Sequence, residues 1–265
     1  MKKFISLTIS VLLLASCKEA ADFYLGIPLQ PRFDENSYTP GLNIFGVVRP
    51  DSTGNYNNSF VEIQKVVPAV GSIDSLEVDT IKVTVSYITE GQGSGATKFV
   101  QSTFDNTFKQ ANYRPENTFV PKALQSFYLT CEHPSLPVLT ATTMVPEKAV
   151  LVPGSIVTGD KYLAFEIQAD TSIFMLDVYV FSSSDNLLFS QRYGTISGTS
   201  TKIELPINAG YAARAVIYSY DSNLAKYYLA SNTSLNFNKY RKPYSTVENG
   251  YGVFGSVNIS IFVLK

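Results

Sequence analysis

Apolar and polar residues alternate along much of this chain. Ile81, Val83, Val85 and Tyr87 are interleaved with Lys82, Thr84 and Ser86, which predicts a strand with one buried and one wet face. Leu163, Phe165 and Ile167 alternate in the same way with Ala164, Glu166 and Gln168. Toward the end of the chain, Val257, Ile259, Ile261 and Val263 alternate with Ser256, Asn258, Ser260 and Phe262, predicting a strand whose outer face is mostly polar. Turn-forming clusters separate such runs at Pro50 to Asn55, Gly91 to Gly95, Ser182 to Asn186 and Gly194 to Ser200. Short strands with this punctuation favour antiparallel β-sandwiches. The best helical candidate is Asp221 to Ser231, where Asp221 or Ser222 can cap and Leu224, Tyr227 and Tyr228 form a face, although a strand is nearly as consistent with the pattern. Prolines interrupt a strand-like run between Pro146 and Gly154, and the domain boundary is placed there. The predicted fold is therefore all-β, with two consecutive antiparallel sandwiches over residues 41–149 and 150–265.

The first forty residues do not share this period. Lys2 and Lys3 precede an apolar run from Phe4 to Leu14, long enough for a signal-peptide core and short of the roughly 20 residues of a spanning helix. The run ends in Leu14-Ala15-Ser16-Cys17, which resembles the lipobox of bacterial lipoproteins at all four positions. Residues 1–16 are expected to be a signal peptide, and Cys17 the lipid attachment site. Each buried methylene contributes about 0.8 kcal/mol, so two or three acyl chains anchor stably where one would not. Residues 17–40 read as a lipidated tether, and the charged stretch Lys18 to Asp22 partly resembles signals for the outer face of the outer membrane.

Composition narrows the chemistry. Hydrophobic residues make up 45% and charged residues 16%, with 17 Tyr, 17 Phe, no Trp and a net charge of −1. That balance argues against disorder, a coiled coil or nucleic-acid binding. With Cys17 acylated, Cys131 has no intramolecular partner, and its alternation with Phe127 and Leu129 predicts a buried, inert thiol. His133 is the sole histidine, too few for a zinc site or a Ser-His-Asp triad, so no metal, cofactor or catalytic residue is expected. Asp51 to Glu62 has acidic ends at calcium-loop spacing, but Tyr56 stands where that loop needs Gly. Gly91, Gly93 and Gly95 lack a following Lys-Ser/Thr and read as a flexible loop. Lys239 to Tyr244 concentrates basic and aromatic residues, either as a partner contact or as a solvated loop.

Several short motifs together resemble a family of Gram-negative outer-membrane lipoproteins classed as a domain of unknown function, often found beside TonB-dependent transporters. They are the lipobox, a hairpin around Gly46-Val47, the strand at Tyr128-Leu129 leading to Thr140-Ala141-Thr142-Thr143 and Pro146, and the run Asn249-Gly250-Tyr251-Gly252-Val253-Phe254-Gly255. The resemblance implies a carboxypeptidase-regulatory-like first sandwich, an immunoglobulin-like second one, and no catalytic residues. The glycines of the last motif fit a bulge or close backbone approach, with Phe254 as a packed anchor. The expected function is that of a non-enzymatic surface lipoprotein of the outer membrane, an accessory or binding component of a TonB-dependent transporter. The alternatives are a fimbrial or adhesin-type subunit exchanging the strand Val257 to Leu264 and, third, a glycan-acting surface enzyme.

Overall fold

The computed structural model describes residues 41–50, 52–53, 56–65, 81–89, 93–105, 110–194, 196, 198–231 and 245–264. Cys17 and the whole leader and tether, Asp51, Gly91 and Lys239 to Tyr244 lie outside the described residues. The first group of strands comprises β1 (Leu42–Val48), β2 (Ser52–Thr53), β3 (Tyr56–Asn57), β4 (Phe60–Lys65), β5 (Lys82–Thr89), β6 (Gly93–Asp105), β7 (Gln110–Pro115), β8 (Ser126–His133) and β9 (Leu136–Met144). The second comprises β10 (Val150–Leu151), β11 (Val157–Gly159), β12 (Tyr162–Gln168), β13 (Met175–Ser182), β14 (Leu187–Gly194), β15 (Ser200–Leu205) and β16 (Ala212–Tyr220). Helix α1 (Ser222–Ser231), β17 (Val247–Glu248) and β18 (Tyr251–Val263) follow.

The fold is an all-β, sandwich-like one. Twelve strands form one continuous sheet in the order β14-β13-β16-β18-β1-β4-β7-β6-β5-β8-β9-β17. Its first-half strands enclose a core in which Leu42 and Ile44 of β1 and Ile63 of β4 meet Val83, Val85, Phe127 and Leu129 of β5 and β8. Its other end, β14-β13-β16-β18, covers a second core opposite the smaller sheet of β10, β12, β11 and β15. This second unit is immunoglobulin-like: two antiparallel sheets bury facing apolar sides, Leu163, Phe165 and Ile167 from one and Leu176, Val178 and Val180 from the other. Among the described residues no helix is long and apolar enough to cross a membrane.

The chain passes between cores where the prolines cluster, since Val145 belongs to the first core and Ala149 to the second. The stretch 150–265 does not stay with the second core, however. β18 runs parallel to β1 through Tyr251–Ser256 and then antiparallel to β16 through Val257–Val263, so one strand serves both. Phe254 is fully buried in the first core. The glycine-rich entry to β18 has a steric reason: Gly252 has φ of 100°, and a side chain there would strike the carbonyl oxygen of Ile44.

Two expectations need correction. Gly93 and Gly95 are not loop residues but the start of β6, pairing with Thr89 and Tyr87. The Tyr87 ring lies over Gly95 and occupies the space its Cβ would take, which lets a glycine sit in a ladder. Beyond Val257, which is buried under α1 as expected, the face of β18 predicted to be wet is the buried one. Ser256, Asn258 and Ser260 are at most 5% exposed, whereas Ile261 and Val263 are 63% and 70% exposed. The reason is the neighbour: the linker between the sandwiches runs past that face with carbonyls that need donors. Ser256 Oγ donates to Met144 O (2.7 Å), Asn258 Nδ2 to Pro146 O (2.9 Å) and Ser260 Oγ to Ala149 O (2.8 Å).

Candidate functional site

The outward face of the second sandwich's larger sheet carries side chains that a solvated face would not. Alternation in β13 sends Leu176, Val178 and Val180 into the core, which leaves Asp177, Tyr179 and Phe181 on the other side. Register then assembles rows across four strands. Ser190, Tyr179, Val216 and Ile261 form one row; Leu187, Phe181, Arg214 and Val263 form the next. Arg192, Asp177, Tyr218 and Ile259 form the third.

Aromatic packing holds this surface in place. The rings of Tyr179 and Tyr218 meet edge to face with centroids 5.6 Å apart, and the Arg214 guanidinium lies 4.5 Å over the Phe181 ring while pairing with Asp185 at 2.9 Å. Together with Arg49, these side chains line an open hollow of about 700 Å³. Leu187, Ile261 and Val263 are all more than half exposed.

Helix α1 covers only the far end of this face. Asp221 caps it, accepting from Leu224 N at 2.9 Å, and Leu224, Tyr227 and Tyr228 pack with Tyr220, Val257 and Val47 beneath. Under that cover lies a buried polar group: Asp177 takes a bidentate bond from Arg192 (2.7 and 2.8 Å) and one from the Tyr220 hydroxyl (3.0 Å). Arg192 also stacks 4.8 Å over Tyr228. The hydrogen bond to Asp177 raises the Arg192 pKa, and burial, then Asp177, pushes the Tyr220 phenol up. Both groups stay protonated donors, so the cluster is a brace for the exposed rows and not a proton-transfer device.

The residues singled out from the sequence do not gather into a site. Cys131 is fully buried in the first core, and desolvation pushes its thiol up to about 12. His133 ends β8, where its Nδ1 accepts from Ser135 N at 3.1 Å within the β8–β9 turn. Glu62 pairs with Asn112 Nδ2 at 3.4 Å in mid-sheet. Among the described residues no group of three or more His, Cys, Asp or Glu is placed to hold a metal. The surface rows are hard to read in the sequence, because β13 carries apolar residues on both faces and its hydropathy does not mark which one is inside. The signal present was the aromatic spacing, Tyr179 with Phe181 and Tyr218 with Tyr220.

No family model matches the chain, and no curated protein does. Solved structures that match include the chicken interferon gamma receptor alpha chain (7% identity, TM-score 0.21, covering 69% of this chain and 88% of that one). An alpha-2-macroglobulin from Escherichia coli matches at 9% identity and TM-score 0.20, over 69% of this chain and 14% of its own. Beta-glucuronidase 3 of Bacteroides uniformis matches at 14% identity and TM-score 0.19, over 70% and 23%. This chain thus spans a small part of the two bacterial proteins.

Proposed function

We propose that this chain is a non-enzymatic, lipid-anchored lipoprotein at the outer membrane, facing outward, that serves a TonB-dependent transporter as an accessory binding component. Acylation at Cys17 supplies the anchor, and the tether of residues 17–40 supplies reach. The observation that carries the binding role is the apolar face of β13, β14, β16 and β18, where Leu187, Ile261 and Val263 are more than half exposed, since exposed apolar surface on a folded domain marks interaction. Tyr and Arg, which supply four of the twelve residues in its rows, are among the residues that concentrate binding energy in interfaces.

The test is site-specific crosslinking in intact cells, with a photoreactive side chain at Val263 on this face or at Lys82 on the first sandwich. Capture of a transporter from Val263 but not from Lys82 is the expected result. Equal capture from both, or none from Val263, rejects the assignment. The adhesin-type alternative requires β18 to be donated, and here it lies between β16 and β1 of its own chain. Polymers that vanish on deleting residues 257–264 would favour that alternative.

A further inference from the structure

Where α1 meets β9 and β18, three short contacts join four oxygens in a row. Asp221 Oδ2 and Thr143 Oγ1 are 2.6 Å apart, Thr143 Oγ1 and Ser256 Oγ 3.0 Å, and Ser256 Oγ and the carbonyl oxygen of Met144 2.7 Å. Three oxygen–oxygen contacts need three hydrogens. Thr143 and Ser256 each carry one, and a backbone carbonyl carries none. With Asp221 ionised, one contact is left as two facing lone pairs inside a buried site. With a proton on Oδ2, the row closes: Asp221 donates to Thr143, Thr143 to Ser256, and Ser256 to Met144. The other carboxyl oxygen keeps its cap on Leu224 N at 2.9 Å.

We propose that Asp221 takes up a proton in the folded protein under mildly acidic conditions, and that this proton closes a hydrogen-bonded clasp between the two sandwiches that tightens as pH falls. The clasp fastens the end of β9, Thr143 and Met144, where the chain enters the linker, to β18 and to the start of α1. Downstream, Asn258 and Ser260 hold the same linker at Pro146 and Ala149.

The surroundings agree with the hydrogen count. Burial raises the Asp221 carboxyl to about 6, outweighing the Thr143 hydroxyl and the backbone donors of Leu224, Ser256 and Asn223, which favour the charged form. The side chains around it are uncharged on each element that packs there: Tyr128 on β8, Thr143 on β9, Ser172 in the turn before β13, Asn223 on α1 and Ser256 on β18. Tyr128 is the one titratable group among them. On the elements flanking Asp221 in sequence, Tyr220 commits its hydroxyl to Asp177 and Lys226 is exposed.

A carboxyl whose pKa is higher folded than unfolded adds stability that is full below the unfolded value of 3.8 and is lost as pH rises through about 6. Asp221→Asn places an amide donor where the acid proton stands and removes the titration. The ratio of the unfolding equilibrium constants of wild type and D221N, measured by denaturant titration of the full chain, is expected to rise about tenfold per pH unit between 4 and 6 and to level off above. Infrared difference spectra of the wild type are expected to show a carboxylic-acid C=O band that titrates near 6, apart from the exposed carboxyls. A ratio independent of pH, or D221N less stable than wild type at neutral pH, means that the carboxylate is the working form and overturns the proposal. Should D221N fail to fold, the infrared titration decides alone: carboxyl bands that all titrate near 4 reject it.

Discussion

Two outward faces of the same twelve-stranded sheet are dressed in opposite ways. Over β5 and β8, Lys82 stands opposite Glu132 and Thr84 opposite Thr130, a polar surface closed by an ion pair of 3.2 Å. Over β13, β16 and β18 the corresponding positions are Tyr179, Phe181, Val216, Tyr218 and Ile261. The first face is finished by water. On the second, Leu187, Ile261 and Val263 are more than half exposed, and among the described residues α1 covers only its far end, which is why it is the surface proposed for a partner. Stability does not require this difference, since both sandwiches bury their cores on the inner side.

Substitutions can separate what holds the second face in shape from what the face offers. The largest effect is expected for Arg192→Ala, which leaves Asp177 buried with Tyr220 as its remaining side-chain donor. Removing one partner of a buried pair costs 3–5 kcal/mol, and because Arg192 is about a third exposed the loss should be about 3 kcal/mol in denaturant titration. Next comes Asn258→Ala on the inner side of β18. It strips the Pro146 carbonyl of its donor in a buried site and should cost about 2 kcal/mol. Smallest is Ile261→Asn, at a residue 63% exposed, which should change stability by no more than about 0.5 kcal/mol. Its crosslinking yield from a probe at Val263 should nonetheless fall well below that of the unsubstituted chain. If Ile261→Asn unfolds the protein while Asn258→Ala does not, the two sides of β18 have been assigned the wrong way round.

Much of the architecture was legible as alternation. β5 and β12 present their core residues at the positions the period of two requires, and α1 begins at the cap that Asp221 supplies. The period in β18 was equally clear, yet it marks only that the two faces differ. Which face is dry depends on what runs alongside, and the linker carbonyls that Ser256, Asn258 and Ser260 satisfy are more than 100 residues away in sequence. The same holds for Asp221. Its role as a helix cap is local and readable, whereas its contact with Thr143 spans 78 residues and needs the fold. The exposed rows escaped notice because β13 is apolar on both sides, a pattern that fits a fully buried strand as well as one awaiting a partner.

The sharing of β18 between two cores bears on the order of assembly. A polypeptide made amino end first presents β1 and β16 before residues 251–263, so neither hydrophobic interior has its last wall until that stretch emerges. The two halves therefore cannot mature independently and in turn. They are completed together by one late segment.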